Sequence, residues 1–178
     1  MRIISGTLKG RNFDAPKGFQ THPMGDKIRT ALFNTLGDIK GLTVLDAFSG
    51  SGALSFEALS RGAQSAVALE LDKEAYKVIR ANAEKLAVGD RMKLFHINAR
   101  SWTYRNNTDR FDLIFCDPPY NHIQETVIEK LAKHTKVGGL LICSLPPYGD
   151  IRLPEEMYEK VVSKSYGDAM LVFYRKIS

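Results

Sequence analysis

A chain of 178 residues, 44% hydrophobic and 25% charged, has the size and composition of one globular domain with a single core. It contains no run of about 18 apolar residues able to span a bilayer, and residues 1–6 lack the long apolar stretch and cleavage site of a secretion signal, so a cytoplasmic protein is expected; a monomer is the oligomeric state expected. The net charge of +5 is concentrated near the N-terminus, where residues 1–29 hold six basic side chains (Arg2, Lys9, Arg11, Lys17, Lys27, Arg29) against Asp14 and Asp26. A basic segment of this kind suits a phosphate backbone, or is an ordinary solvated surface.

Residues 2–4 and 11–13 read as short strands joined through Lys9-Gly10 in a small hairpin. Residues 16–25 are rich in turn formers. Asp26 is placed to cap a helix over 26–36, with Ile28, Leu32 and Leu36 on one stripe and Gly37 or Gly41 at its end. From residue 42 strands and helices alternate. Strands are expected at 42–45, 66–69, 92–97, 111–116 and 139–143, and helices at 50–59, 73–86 and 123–132. Alternation predicts an α/β fold with a mostly parallel sheet covered on both faces. The tail breaks the pattern: strands at 158–165 and 169–175 are separated only by Tyr166-Gly167-Asp168, which permits an antiparallel hairpin alone. Cys116 and Cys143 sit in apolar runs and read as reduced core thiols, and the four histidines show no metal spacing. Residues 100–105 mix basic and aromatic side chains and read as a surface loop near the active face, either touching RNA or packing its aromatics.

Ligands of open α/β sheets bind at the carboxyl ends of the strands. The first strand ends in Asp46-Ala47-Phe48-Ser49-Gly50-Ser51-Gly52. Gly50 and Gly52 let a backbone approach a ligand closely. The dinucleotide fingerprint is incomplete, because Ser55 stands where its third glycine would be, and Asp46 would repel a pyrophosphate. That argues against a nucleotide-dependent oxidoreductase and for a ligand carrying an amino group and a sulfonium, such as S-adenosylmethionine. Glu70 ends the second strand and can accept from both hydroxyls of a ribose. Asn98 follows the third strand and could accept from an adenine amine through its carbonyl oxygen, or serve as a turn residue.

Asp117-Pro118-Pro119-Tyr120 follows the fourth strand directly. The prolines stiffen the backbone and remove two N–H donors, leaving the Pro118 carbonyl beside the Asp117 carboxylate as paired acceptors. Two acceptors can orient an exocyclic base amine and stabilise charge developing on its nitrogen. Tyr120 offers a stacking face for the base. The tetrapeptide by itself does not separate guanine from adenine or cytosine, nor RNA from DNA.

These motifs, with the opening Arg2-Ile3-Ile4-Ser5-Gly6, Lys9-Gly10-Arg11, residues 26–34, residues 46–63 and the final Tyr166-Gly167 hairpin, resemble the RsmD family over nearly the whole chain. The resemblance implies a class I Rossmann-like methyltransferase domain over residues 41–178, with a seven-stranded, mostly parallel sheet carrying one antiparallel strand. It implies an N-terminal RNA-contacting extension over residues 1–40. It implies S-adenosylmethionine as donor and guanine N2 of small-subunit ribosomal RNA as acceptor, in an assembled or partly assembled subunit. On this pattern Asp46, Phe48, Ser49, Gly50, Gly52, Glu70, Leu71, Asn98, Ala99 and Asp117 line the cofactor site. Asp117, Pro118, Pro119 and Tyr120 hold the base, while Arg2, Lys9, Arg11 and Arg29 meet RNA. The chain departs from the family pattern at His22-Pro23-Met24, at Asn98 and at Ser144-Leu145. A methyltransferase for another RNA or DNA amine, and a non-catalytic RNA-binding assembly factor, are the alternatives.

Overall fold

The structure, a computed structural model, describes residues 1–16 and 24–178. Lys17, His22 and Pro23, singled out in the sequence, lie outside the described residues. The elements in chain order are α1 (Asp26–Leu36), β1 (Thr43–Asp46), α2 (Ala53–Ser60), β2 (Ser65–Glu70), α3 (Lys73–Lys85), β3 (Met92–His96), α4 (Ala99–Arg105), β4 (Phe111–Cys116), α5 (Glu125–Ala132), β5 (Thr135–Leu145), β6 (Tyr158–Ser165) and β7 (Met170–Lys176). The seven strands form one sheet in the order β3-β2-β1-β4-β5-β7-β6. The pairs from β3 through β5 are parallel, and β7 runs antiparallel to both β5 and β6, so it is the one reversed strand in the sheet. This is the Rossmann-like methyltransferase fold, with its antiparallel strand one place in from the edge.

Two apolar layers hold the sheet. The period-two alternation of the strands sends Val44, Leu113, Phe115 and Ile142 to one face, under α1, α2 and α3. It sends Leu45, Ile114, Cys116 and Leu141 to the other, under α4 and α5. Cys116 and Cys143 are register partners across β4 and β5, and both are free buried thiols.

The expected N-terminal hairpin forms, and two local expectations are corrected. In the hairpin, Arg2 and Asn12 form an antiparallel bridge, the Ile3 N–H donates to the Arg11 carbonyl and the Phe13 N–H to the Met1 carbonyl, each at 3.0 Å, and the Gly10 N–H donates to the Ile3 carbonyl at 2.9 Å. Residues 4–8, between its paired arms, bind α2: the Ile4 and Ser5 N–H groups donate to the Glu57 carboxylate at 2.8 and 3.0 Å, and the Leu8 N–H donates to Ser60 Oγ at 2.9 Å. Asp26 does not cap α1, whose N-cap is Gly25; it begins the helix and pairs with Arg29 at 2.9 Å. Residues 100–105 are helical rather than a loop, because Asn98 caps α4 by accepting the Ser101 N–H at 2.7 Å. Trp102 and Ala99 turn this helix into the core.

All eight residues of α2 are buried. One side packs on the sheet and the other lies under the N-terminal segment, so its polar residues are each matched to an internal partner. Ile3 and Phe13 of that segment pack in the same core as Leu32, Phe33 and Phe56. Asn82 of α3 closes the contact by exchanging two hydrogen bonds with the Asp14 backbone, at 3.0 and 2.8 Å.

Candidate active site

The carboxyl ends of β1, β2 and β4 bring three acids to one edge of the sheet. Register explains this. Asp46 pairs with Phe115, two residues before Asp117, and with Ala68, two residues before Glu70. Asp46 is buried and its carboxylate accepts Ser55 Oγ–H at 2.7 Å. Burial pushes its carboxyl up to about 7, against the Ser55 hydrogen bond and with added repulsion from Asp117. Asp117 keeps partial exposure, and burial pushes its carboxyl up to about 6 while the Ser144 hydroxyl lowers it. A cation placed against these groups would favour both charged forms.

The glycine turn between β1 and α2 is built around Glu70. The Gly50 N–H donates to Glu70 Oε2 and the Asp72 N–H to Oε1, each at 2.7 Å. Burial raises the Glu70 carboxyl, offset by these backbone donors. The turn also needs its second glycine for packing: Gly52 has φ +77°, and a Cβ there would meet the Phe56 ring at 2.8 Å. Ser49 is buried, its N–H on the Leu69 carbonyl and its hydroxyl on the Asp46 carbonyl, while Phe48 is partly exposed. Leu71, just past Glu70, is 63% exposed although apolar. Asn98 and Ala99 begin α4 beyond β3; Asn98 Oδ1 caps that helix by accepting the Ser101 N–H, the local role that the turn reading of this residue allowed.

In the Asp117-Pro118-Pro119-Tyr120 loop the Pro119 carbonyl accepts the His122 N–H at 2.9 Å. The Pro118 carbonyl accepts no hydrogen bond from a described residue, although Pro118 is buried. Tyr120 is 40% exposed, and its hydroxyl meets Ser144 Oγ at 2.8 Å. Sequence reasoning noted Ser144 only as a departure, yet it stands between Asp117 and Tyr120. The strand register holds the signal: Cys116 and Cys143 pair, so Asp117 and Ser144 are the next positions on neighbouring parallel strands.

The family model described as Conserved hypothetical protein 95 matches residues 1–175. The Haemophilus influenzae ribosomal RNA small subunit methyltransferase D is 34% identical over 139 residues, covering 75% of this chain and 72% of that protein. The chain belongs to the RsmD family. A Bacillus subtilis relative, YlbH, described as a candidate rRNA methyltransferase, is 29% identical across 99% of both chains. A solved Escherichia coli structure, yhhF, described as a candidate methyltransferase, is 28% identical with a TM-score of 0.89, covering 99% of this chain and 98% of that one.

The four basic residues assigned to RNA do not share one environment in this RsmD-family chain. Arg2, Lys9 and Arg11 are exposed. Arg29 is 1% exposed, with its guanidinium on the Arg2 carbonyl and on Asp26, each at 2.9 Å. It is a tie between α1 and the N-terminal segment and does not reach solvent. Glu57 and Ser60, which dock the N-terminal segment, are further residues that sequence reasoning passed over, and Ser55, noted there only for replacing a glycine, holds Asp46. Each lies in α2, where a Ser or Glu among apolar neighbours reads as a solvent face unless the covering segment is known. Among the described residues no cluster of His, Cys, Asp or Glu could hold a metal ion, and no helix is long and apolar enough to cross a membrane.

Proposed function

We propose that the chain is an S-adenosylmethionine-dependent methyltransferase acting on the exocyclic N2 of a guanine in small-subunit ribosomal RNA, in an assembled or partly assembled subunit. The observation that carries the reading is the meeting of Asp46, Glu70 and the Asp117-to-Tyr120 loop at one end of the sheet in a chain of this family. The names of the relatives support ribosomal RNA as the substrate. The site's own chemistry supports the donor. Glu70 is steadied by two backbone N–H groups, with lone pairs left for ribose hydroxyls. Leu71 supplies an apolar face for an adenine, and the Asn98 amide can donate to a ring nitrogen. Asp46, buried with no cation paired to it among the described residues, suits the charged methionine end.

S-adenosylmethionine supplies a methyl group made electrophilic by its sulfonium sulfur. The rest falls to the loop. The Asp117 carboxylate and the Pro118 carbonyl accept the two hydrogens of the base amine and turn its lone pair toward the methyl group. They also offset the positive charge that grows on nitrogen as it attacks. Tyr120 stacks on the base, and Ser144 holds both Tyr120 and Asp117 in place.

Mass spectrometry of nucleosides from small-subunit RNA tests the reading. Cells lacking the gene are expected to lose one N2-methylguanosine, and the purified protein to restore it with tritiated S-adenosylmethionine. Label entering DNA alone, or an unchanged nucleoside profile, would sink the proposal.

A further inference from the structure

The end of the sheet away from the Asp117 loop carries a second concave surface. α4 ends there at Arg105, β4 begins at Phe111, α5 ends at Ala132 and β5 begins at Thr135. Between them lies a cleft of about 400 Å³ lined by Thr103, Tyr104, Arg110, Lys130, Lys133 and His134. None of Arg110, Lys130 and Lys133 forms an ion pair with a described acid. Arg110 donates to the carbonyls of Asn107 and Asp109 at 3.0 and 2.9 Å, which fixes the guanidinium without neutralising it. The nearby Asp109 carboxylate is engaged by the Asn106 amide at 2.6 Å. Lys130 lies 3.5 Å from the centroid of the Tyr104 ring, and that ring is 59% exposed.

Lys176 and His134 are held below their usual values by burial, and Arg110 adds to both shifts. The Tyr104 hydroxyl is pulled down by Lys130 and then by Arg100. Part of this charge answers the carbonyl end of α5, whose dipole amounts to roughly half a negative charge. Three uncompensated cations around one concavity exceed that.

We propose that this cleft is a second RNA-contact site, which takes backbone phosphates of the substrate at a distance from the methylated base. The proposal rests on the RNA reading above. A polyanion is the ligand that matches cations without acid partners around one cleft, and an exposed aromatic among cations is the usual surface for a nucleic-acid strand. The run of β4 from Phe111 to Asp117 sets the cleft roughly 20 Å from the reacting end, at about 3.3 Å per strand residue. The substrate would therefore be gripped at two ends of the sheet.

The test is a triple variant, Arg110→Gln, Lys130→Gln and Lys133→Gln, assayed with small-subunit ribosomal RNA between 50 and 200 mM salt. The slope of log affinity against log salt should become shallower by about 2, at roughly 0.7–0.9 for each phosphate no longer neutralised. KM for RNA should rise about tenfold while kcat at saturating RNA stays unchanged. A folded triple variant with the wild-type slope and KM overturns the proposal. If melting shows that the triple variant does not fold, the exposed Lys133→Gln replaces it, with an expected slope change of about 1 and an unchanged slope overturning. Duplex DNA and inorganic phosphate are the comparison ligands. A slope change on DNA with no binding of ribosomal RNA, or displacement of RNA by millimolar phosphate, overturns the RNA assignment. If wild type methylates ribosomal RNA and the variant matches it throughout, only the cleft proposal fails; if wild type binds no RNA, both fail.

Discussion

Asp46 and Asp117 are acids whose buried carboxyls sit near 7 and 6, above the range of a free aspartate. Their elevation follows from burial at the ends of two adjacent strands. It predicts a pH dependence. Asp117 accepts an amine hydrogen only as a carboxylate, so transfer should fall as pH drops through about 6, where the group takes up its proton. The profile of kcat/KM should show an acid limb there. Asp117→Ala should lower kcat by at least about 100-fold, a loss on the scale of removing one preorganised group, while affinity for the demethylated cofactor stays within about threefold, a change under roughly 1 kcal/mol. An Asp117→Asn variant that retained the same acid limb would remove Asp117 from the mechanism. These residues were legible because an acid ending a hydrophobic strand is visible in one dimension. Ser144 was not, because its meaning lies in the neighbouring strand.

α2 shows what an element does once another covers it. Its sequence sets Ser55, Glu57 and Ser60 among apolar residues, and nothing in that order shows what covers them. In the fold the N-terminal segment replaces the water. Glu57 accepts two backbone N–H groups and the Arg61 Nε–H, and Gly6 packs so close that a Cβ would lie 2.0 Å from the Ser60 carbonyl oxygen. Gly6 also has φ +85°, which costs a non-glycine residue roughly 1–2 kcal/mol before any clash. Gly6→Ala should therefore destabilise the protein by about 2–3 kcal/mol, lowering Tm by roughly 5–10 °C. Amide exchange at Ile4, Ser5 and Leu8 should rise with it. Unchanged melting and exchange would mean that the segment is not anchored by this contact.

Across the whole molecule, basic charge divides into groups that the order of residues does not reveal. Arg2, Lys9 and Arg11 are exposed on the N-terminal segment, Arg29 is enclosed, and Arg110, Lys130 and Lys133 gather at the far end of the sheet. Reversing Arg2, Lys9 and Arg11 to glutamate should weaken RNA binding and reduce the salt slope by about 2–3. Reversal at all three with no change in slope would show that the N-terminal segment does not touch RNA. The alternation of strands and helices by itself determined the parallel sheet, the short tail turn determined the reversed strand, and the strand ends determined where Asp46, Glu70 and Asp117 stand. Those inferences hold because hydrophobic period and turn length are local, and a parallel α/β sheet gathers its carboxyl ends on one edge. Only the tertiary structure decided that the connection of the N-terminal hairpin docks on α2, that Arg29 is enclosed against the Arg2 carbonyl, and which cations lack an ion pair among the described residues. Each depends on residues far apart in the chain meeting, and on burial, which follows from packing and not from the identity of a single side chain.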